Sequence, residues 1–126
     1  MIRADINYIR IESWTNIQDR CIVHVTGGTS PTEIGDNVTV GHGAILYGCR
    51  IGKNCLTRMK AIIFDDVVVE DDSIIAAGTV VESSTEIPSG MLAAGNPAVV
   101  KRQVSKLEAD CFIDWASQYR EYAGRY

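Results

Sequence analysis

The sequence lacks the features that mark three common classes of protein. It has no run rich in lysine or arginine, and its net charge of −4 gives no basic footprint, so nucleic acid is not an expected partner. Its apolar runs are far too short to span a bilayer, and its first residues lack the apolar segment of a signal peptide. No membrane association is therefore expected, and a cytoplasmic location is predicted.

Paired cysteine motifs are also missing. The four cysteines occur without a CxxC or CxxH spacing. Cys21 and Cys55 instead fall on small, inward-facing positions of the repeat described next, which is typical of core residues in a reducing compartment. The 126 residues have room for one domain.

A six-residue period dominates what is present. From residue 34 onward, an aliphatic or β-branched residue falls on almost every sixth position, with one five-residue step. The series is Ile34, Val40, Leu46, Ile51, Thr57, Ile63, Val69, Ile75, Val81 and Ile87. A period of six fits neither an α-helix nor an amphipathic strand, so it predicts a solenoid with three flat faces per coil. The ladder of aliphatic side chains fills the interior of this triangular prism.

The register extends backwards through Ile11, Ile17 and Val23. We expect the solenoid to occupy residues 1–100, with a surface loop at 26–33, where Gly, Ser, Thr and Pro interrupt the repeat. Coils are expected to begin at Ile11, Ile34, Ile51 and Val69. Turns at 87–90 and 95–97 are expected to end the solenoid.

Residues 101–126 change to the period of a helix, with one apolar stripe. The stripe comprises Val104, Leu107, Cys111, Trp115, Tyr119 and Tyr122. Ser105 with Glu108 three residues later matches a capping box, which predicts a helix start near residue 105. This helix is expected to pack along a prism face or against a neighbouring subunit.

Counting along the ladder places two side chains that are able to take part in chemistry on one outer face. His24 follows Val23 and Tyr47 follows Leu46, so both occupy the same outward slot of successive coils. Successive coils lie one strand spacing apart, about 4.8 Å, so we expect these side chains to stack as neighbours.

His42 belongs to a different face. It lies two residues after Val40, and Asp19 holds the equivalent slot one coil earlier. We therefore expect His42 to converge with His24 across the cleft to another copy of the chain.

At these residues the sequence resembles the γ-class carbonic anhydrase-like proteins, which are left-handed β-helices that assemble as trimers. The resemblance runs through Ile2-Arg3-Ala4-Asp5, Asn16-Ile17-Gln18-Asp19, Val23-His24-Val25, Val40-Gly41-His42, Gly48-Cys49 and Gly95-Asn96-Pro97. It implies an all-β fold, a single-stranded left-handed parallel β-helix followed by a C-terminal α-helix. It also implies a homotrimer with a catalytic metal, usually zinc, between subunits.

The resemblance assigns roles by position. His24 matches one metal ligand, His42 the ligand that crosses the interface, and Tyr47 stands where a third histidine is expected. Three further residues match those that orient the metal-bound water, and two match residues that build subunit contacts. The first set is Asn16, Gln18 and Asp19, and the second is Arg3 and Asp5.

The chain departs from the family pattern at the third ligand. A catalytic zinc site keeps three protein ligands plus water, and a tyrosine phenol is protonated at neutral pH because its reference pKa is about 10. Arg58, in the slot one coil beyond Gly41, adds a cation beside His42 that disfavours a metal dication. The family pattern would also place some two further coils before residue 2.

Three functions follow from these observations. The first is a trimeric γ-carbonic anhydrase-like protein with a weakened zinc site and weak or no hydration of carbon dioxide; if active, it would be a zinc-dependent lyase. The second is a non-catalytic protein that binds a small anion of the bicarbonate class or serves assembly. The third is a hexapeptide acyltransferase, although no donor site is specifically indicated.

Overall fold

The computed structural model describes residues 1–4, 7–25 and 30–111. These residues form a left-handed parallel β-helix of short strands, as the six-residue period and the resemblance predict. The strands lie on three faces, and each face is a sheet whose neighbouring strands come from successive coils.

Face one is a five-stranded sheet, face two has six strands and face three has four, within the described residues. Face one contains β1 (Ile9–Ile11), β4 (Thr32–Ile34), β7 (Arg50–Ile51), β10 (Val68–Val69) and β13 (Glu86–Ile87). Face two contains β2 (Asn16–Ile17), β5 (Thr39–Val40), β8 (Leu56–Thr57), β11 (Ile74–Ile75), β14 (Met91–Ala94) and β15 (Val99–Gln103). Face three contains β3 (Ile22–His24), β6 (Ile45–Tyr47), β9 (Ile62–Ile63) and β12 (Val80–Val81).

The strand register confirms the predicted ladder. On face one Ile11 pairs with Ile34 and Ile34 with Ile51, and on face three Leu46 pairs with Ile63. The larger ladder side chains from Ile34 onward are at most 1% exposed, so they fill the prism completely. Burial of this continuous apolar column is the main stabilising term of the fold.

The corners of the prism need left-handed backbone at regular intervals. Positive φ angles recur every six residues along most of the solenoid, and Asn37, Asn54 and Asp66 are among the residues that adopt them. The five-residue step after Leu46 makes one corner shorter by a residue. Gly48 occupies it with φ of 49°, and a Cβ there would lie 2.7 Å from the Cβ of Ser30, so only glycine fits.

Three expected boundaries shift. The loop expected at 26–33 is shorter, because Thr32–Ile34 already pairs with β1 as strand β4; residues 26–29 lie outside the described ranges. The turn at 87–90 does not end the solenoid, because β14 continues face two and pairs with β11 in parallel. The turn at 95–97 then reverses the chain into the antiparallel strand β15.

The boundary expected between residues 100 and 101 therefore falls inside β15, and the C-terminal helix begins at residue 106. Its capping box is present, since Ser105 N donates to Glu108 Oε1 at 3.0 Å and Glu108 N donates to Ser105 Oγ at 3.1 Å. Of the predicted stripe, Trp115, Tyr119 and Tyr122 lie outside the described residues. In the described part of the chain, no helix is both long and apolar enough to cross a bilayer.

Candidate functional site

A column of three rings runs along the outside of face three. His24 pairs directly with Tyr47 in the parallel ladder, as the slot count predicts, and their ring centroids lie 5.3 Å apart with an interplanar angle of 86°. Phe64 continues the column one coil further, 6.5 Å from Tyr47 and nearly parallel to it at 12°. Both separations are in the range of favourable aromatic pairs, so the phenol ring is held on both sides.

His24 has an unusual hydrogen-bonding environment. Its Nδ1 atom is buried, and no hydrogen-bond partner for it is found among the described residues. Arg3 lies on the opposite side of His24 from Tyr47, because Ile2 forms a β-bridge with Val23 and Arg3 N donates to Val23 O at 2.9 Å. The column on face three therefore consists, in order along the solenoid, of Arg3, His24, Tyr47 and Phe64.

His42 lies on the corner between faces two and three. It is exposed in the turn after β5, and Gly43 N donates to Asp19 O at 3.0 Å, which stacks this turn on the one that contains Asp19. Lys60 N in turn donates to His42 O at 2.9 Å. The corner thus carries an acid, an imidazole and an amine on three successive coils, and all three residues are exposed.

Arg58 follows strand β8 directly beside this corner. A Cβ on Gly41 would lie 2.6 Å from Met59 N and 2.9 Å from the carbonyl carbon of Arg58, so the two coils are in close backbone contact here. Arg58 is exposed. The cation that the sequence places near His42 is therefore on the neighbouring coil of the same face.

Asn16 and Gln18 project from the first strand of face two. Asn16 Nδ2 donates to Thr39 Oγ1 at 2.9 Å, whereas Asn16 Oδ1 is buried without a partner in the described ranges. Gln18 is half-buried at the end of the strand, next to the corner of Asp19. Asp5 lies outside the described residues, so its expected place at a subunit contact stays a prediction.

The candidate residues thus form two groups within one chain. Arg3, His24 and Tyr47 share face three, while a second set lies on face two and its corner. The second set comprises Asn16, Gln18, Asp19 and His42. Sequence reasoning missed Phe64, although it follows Ile63 in the ladder as Tyr47 follows Leu46, and the same count would have found it.

The donor set does not fit a catalytic zinc ion well. Histidine ligands of a metal normally donate their other ring N–H to an acceptor that orients the ring, and no described residue provides one for His24 Nδ1. The third position is a phenol packed between two rings. Among the described residues of one chain, no three His, Cys, Asp or Glu side chains are grouped as metal ligands.

The fold and its repeats define a hexapeptide-repeat left-handed β-helix protein, and comparisons with known proteins agree. No protein-family model matches the chain. It is 44% identical over 124 residues to "Gamma carbonic anhydrase 2, mitochondrial" of Arabidopsis thaliana, which covers 94% of this chain and 45% of that protein. It is 35% identical over 128 residues to the "Carnitine operon protein CaiE" of Escherichia coli K12, which covers 98% of this chain and 63% of that protein.

A solved structure matches over nearly the whole of this chain. A hexapeptide transferase family protein from Anaplasma phagocytophilum superimposes with a TM-score of 0.90 and 33% identity, over 99% of this chain and 73% of that one. The chain therefore belongs to the γ-carbonic anhydrase-like hexapeptide-repeat family. It spans about half the length of the curated γ-carbonic anhydrases that it matches.

Proposed function

We propose that this chain is a γ-carbonic anhydrase-like subunit, assembling as a homotrimer, whose intersubunit metal site is impaired and hydrates carbon dioxide weakly or not at all. The packing of Tyr47 between His24 and Phe64 carries the proposal. A phenol in this position has to lose its proton before it can bind a metal, whereas an imidazole binds in its neutral form.

The environment of His24 supports the same conclusion. Loss of the group that orients a metal-bound histidine typically lowers metal affinity by about 10- to 100-fold, and His24 Nδ1 has no such partner among the described residues. Arg58 beside the His42 corner adds positive charge, which opposes a divalent cation. If zinc binds, His24, His42 and Tyr47 would hold it, and it would supply the activated water of a hydratase.

The trimer is supported by the surface of face three. Its second outward column consists of half-buried aliphatic residues that stack through the parallel ladder, beside the exposed ring of Phe64. The column comprises Ile22, Ile45, Ile62 and Val80. A contiguous apolar strip of this kind is typical of a protein interface rather than of a solvated surface. Light scattering coupled to size-exclusion chromatography tests the assembly directly.

The experiment measures zinc content and carbon dioxide hydration of three proteins purified without chelators. The unmodified protein is expected to hold far less than one zinc per site and to hydrate at the background rate. Tyr47→His should gain both zinc and hydration, because it restores three imidazoles. The matched control Phe64→His adds a histidine to the same column one coil away and should gain neither. Stoichiometric zinc with clear hydration in the unmodified protein would contradict the proposal.

Acyl transfer is the second candidate. A protein described as a putative acetyltransferase, from Bacillus cereus, matches with 30% identity over 74% of its chain and a TM-score of 0.84. Histidine is the general base that such a reaction would use, and His42 is the exposed one. Incubation with acetyl-coenzyme A and a panel of amine and hydroxyl acceptors tests this candidate; His42→Ala should abolish any activity that is found.

A further inference from the structure

A cavity of about 270 Å³ lies on face two, between the sheet and the C-terminal helix. Its floor is formed by Leu56, Ile74 and Leu92, which stack on one another because Ile74 pairs with both of the other residues in the parallel ladder. Leu107 and Cys111 of the helix form the other wall. The repeat turns Leu56 and Ile74 outward, yet they are only 7% and 4% exposed, so the floor is apolar and covered, whereas Leu107 on the helix side is 75% exposed.

Two charged residues line this apolar cavity, and one of them is already neutralised. The carboxylate of Glu108 accepts from both terminal nitrogens of Arg102, at 2.5 and 2.9 Å, and from the backbone N–H of Ser105. These contacts lower the pKa of Glu108 to about 2, chiefly through the hydrogen bond from Arg102, so the group stays ionised and paired.

Arg58 is the other charged residue, and it is not neutralised within the described part of the chain. The salt bridges found there join Arg50 to Glu33 and Arg102 to Glu108, and neither includes Arg58. A free guanidinium at the edge of an apolar cavity with a buried floor is a site for an amphipathic anion. Its planar donors suit a carboxylate, while the aliphatic floor excludes water from a hydrocarbon tail.

We propose that this cavity binds a medium-chain aliphatic carboxylate, with the tail on the floor of the cavity and the carboxylate on Arg58. A volume of about 270 Å³ lies just below the range of about 300–1,000 Å³ that is typical of small-molecule pockets, so it suits a short aliphatic chain. Octanoate is therefore the probe of matching size. The site shares no residue with the His24 and Tyr47 column, and Arg58 is the one residue that it has in common with the metal-site argument.

The test titrates octanoate and, separately, 1-octanol into the protein, followed by calorimetry and by methyl NMR shifts of Ile74 and Leu92. Octanoate should saturate with shifts at these methyl groups and bind more tightly than the alcohol. Arg58→Met should lower the affinity for octanoate about fivefold, which is the contribution of a largely exposed ion pair, and should leave the affinity for octanol unchanged. The matched control Lys53→Met removes an exposed cation outside the cavity and should leave octanoate affinity unchanged.

A second pair of variants tests the location. Ala76 lines the cavity and Ala77, its neighbour in sequence, is exposed on the corner. Ala76→Phe should fill the space and lower the affinity for octanoate at least tenfold, whereas Ala77→Phe should leave that affinity unchanged. Thermal unfolding shows that both variants are folded. Equal affinity for octanoate and octanol, unchanged affinity in Arg58→Met, or shifts away from Ile74 and Leu92 would each overturn the proposal. So would failure of octanoate to bind at millimolar concentration.

Discussion

Gly41 is expected to be one of the least replaceable residues of the solenoid. Its backbone lies against the next coil so closely that an added Cβ would be 2.6 Å from Met59 N and 2.9 Å from the carbonyl carbon of Arg58. Ordinary contact begins near 3.4 Å, and both opposing atoms belong to the backbone, so no flexible side chain can move aside. Gly41→Ala must therefore separate two coils by several tenths of an ångström beside His42.

The size of the effect can be worked from these contacts. Overpacking against a well-packed neighbour costs about 1–3 kcal/mol, and the backbone clash places this variant at the upper end. The adjacent ladder bond, from Gly41 N to Thr57 O at 2.7 Å, is stretched as the coils part, at a cost of about 1 kcal/mol. Alanine also reduces the conformational entropy of the unfolded chain, which offsets about 0.4–1 kcal/mol of this loss of stability. The net loss in the free energy of unfolding is about 3 kcal/mol.

Gly78→Ala is the matched control. A Cβ at Gly78 would meet nothing within 4 Å, but its φ of 68° lies in the left-handed region. Lys60 adopts a φ of 60° at the same corner of the preceding coil, so a side chain is accommodated there. The left-handed cost of about 1–2 kcal/mol is largely offset in the unfolded chain, which leaves about 1 kcal/mol or less.

Urea unfolding of the three proteins at one fixed protein concentration measures both changes, since an oligomer's stability depends on concentration. For Gly41→Ala a shift of the midpoint by about 1–2 M urea is expected. If Gly41→Ala is no less stable than Gly78→Ala, the coils do not meet at this corner as described, and the close approach beside His42 is refuted.

Three further outcomes are expected. At pH 8 a thiol reagent should modify Cys111 rapidly, and the buried thiols only after denaturation, because burial raises the pKa of Cys49 and Cys55 to about 12; more than one fast thiol would contradict this. Ile63→Ala should lower the free energy of unfolding in urea by about 2–5 kcal/mol, because Ile63 is fully buried in the ladder; a smaller loss would place it outside the core. The carboxyl group of Glu108, followed by NMR, should titrate near pH 2 in the unmodified protein and at a higher pH in Arg102→Gln. Because its folded pKa is depressed, the stability that the pair contributes is present above its ordinary pKa and is lost as the pH falls through about 2.

The fold could be predicted from the sequence because each hexapeptide carries the same pattern and forms the same local structure. An inward aliphatic residue every sixth position leaves one way to stack the faces, so the pairings of Val23 with Leu46 and Leu46 with Ile63 follow from counting. Boundaries were less predictable where polar and turn residues also form strands. Thr32–Ile34 joins face one although its surroundings are typical of a loop, because pairing with β1 satisfies its backbone groups.

The sequence by itself determined which side chains share a slot, and hence that His24 and Tyr47 are neighbours with His42 on another face. Only the tertiary structure decided how the side chains of these neighbours pack and which hydrogen bonds they form. Three features depend on side-chain packing and on where the C-terminal helix lies. They are the ring orientations in the stack through Phe64, the His24 Nδ1 atom without a partner among the described residues, and the cavity beside Arg58. The physical reason is that the repeat fixes the backbone through local spacing, whereas these features arise between segments far apart in the sequence.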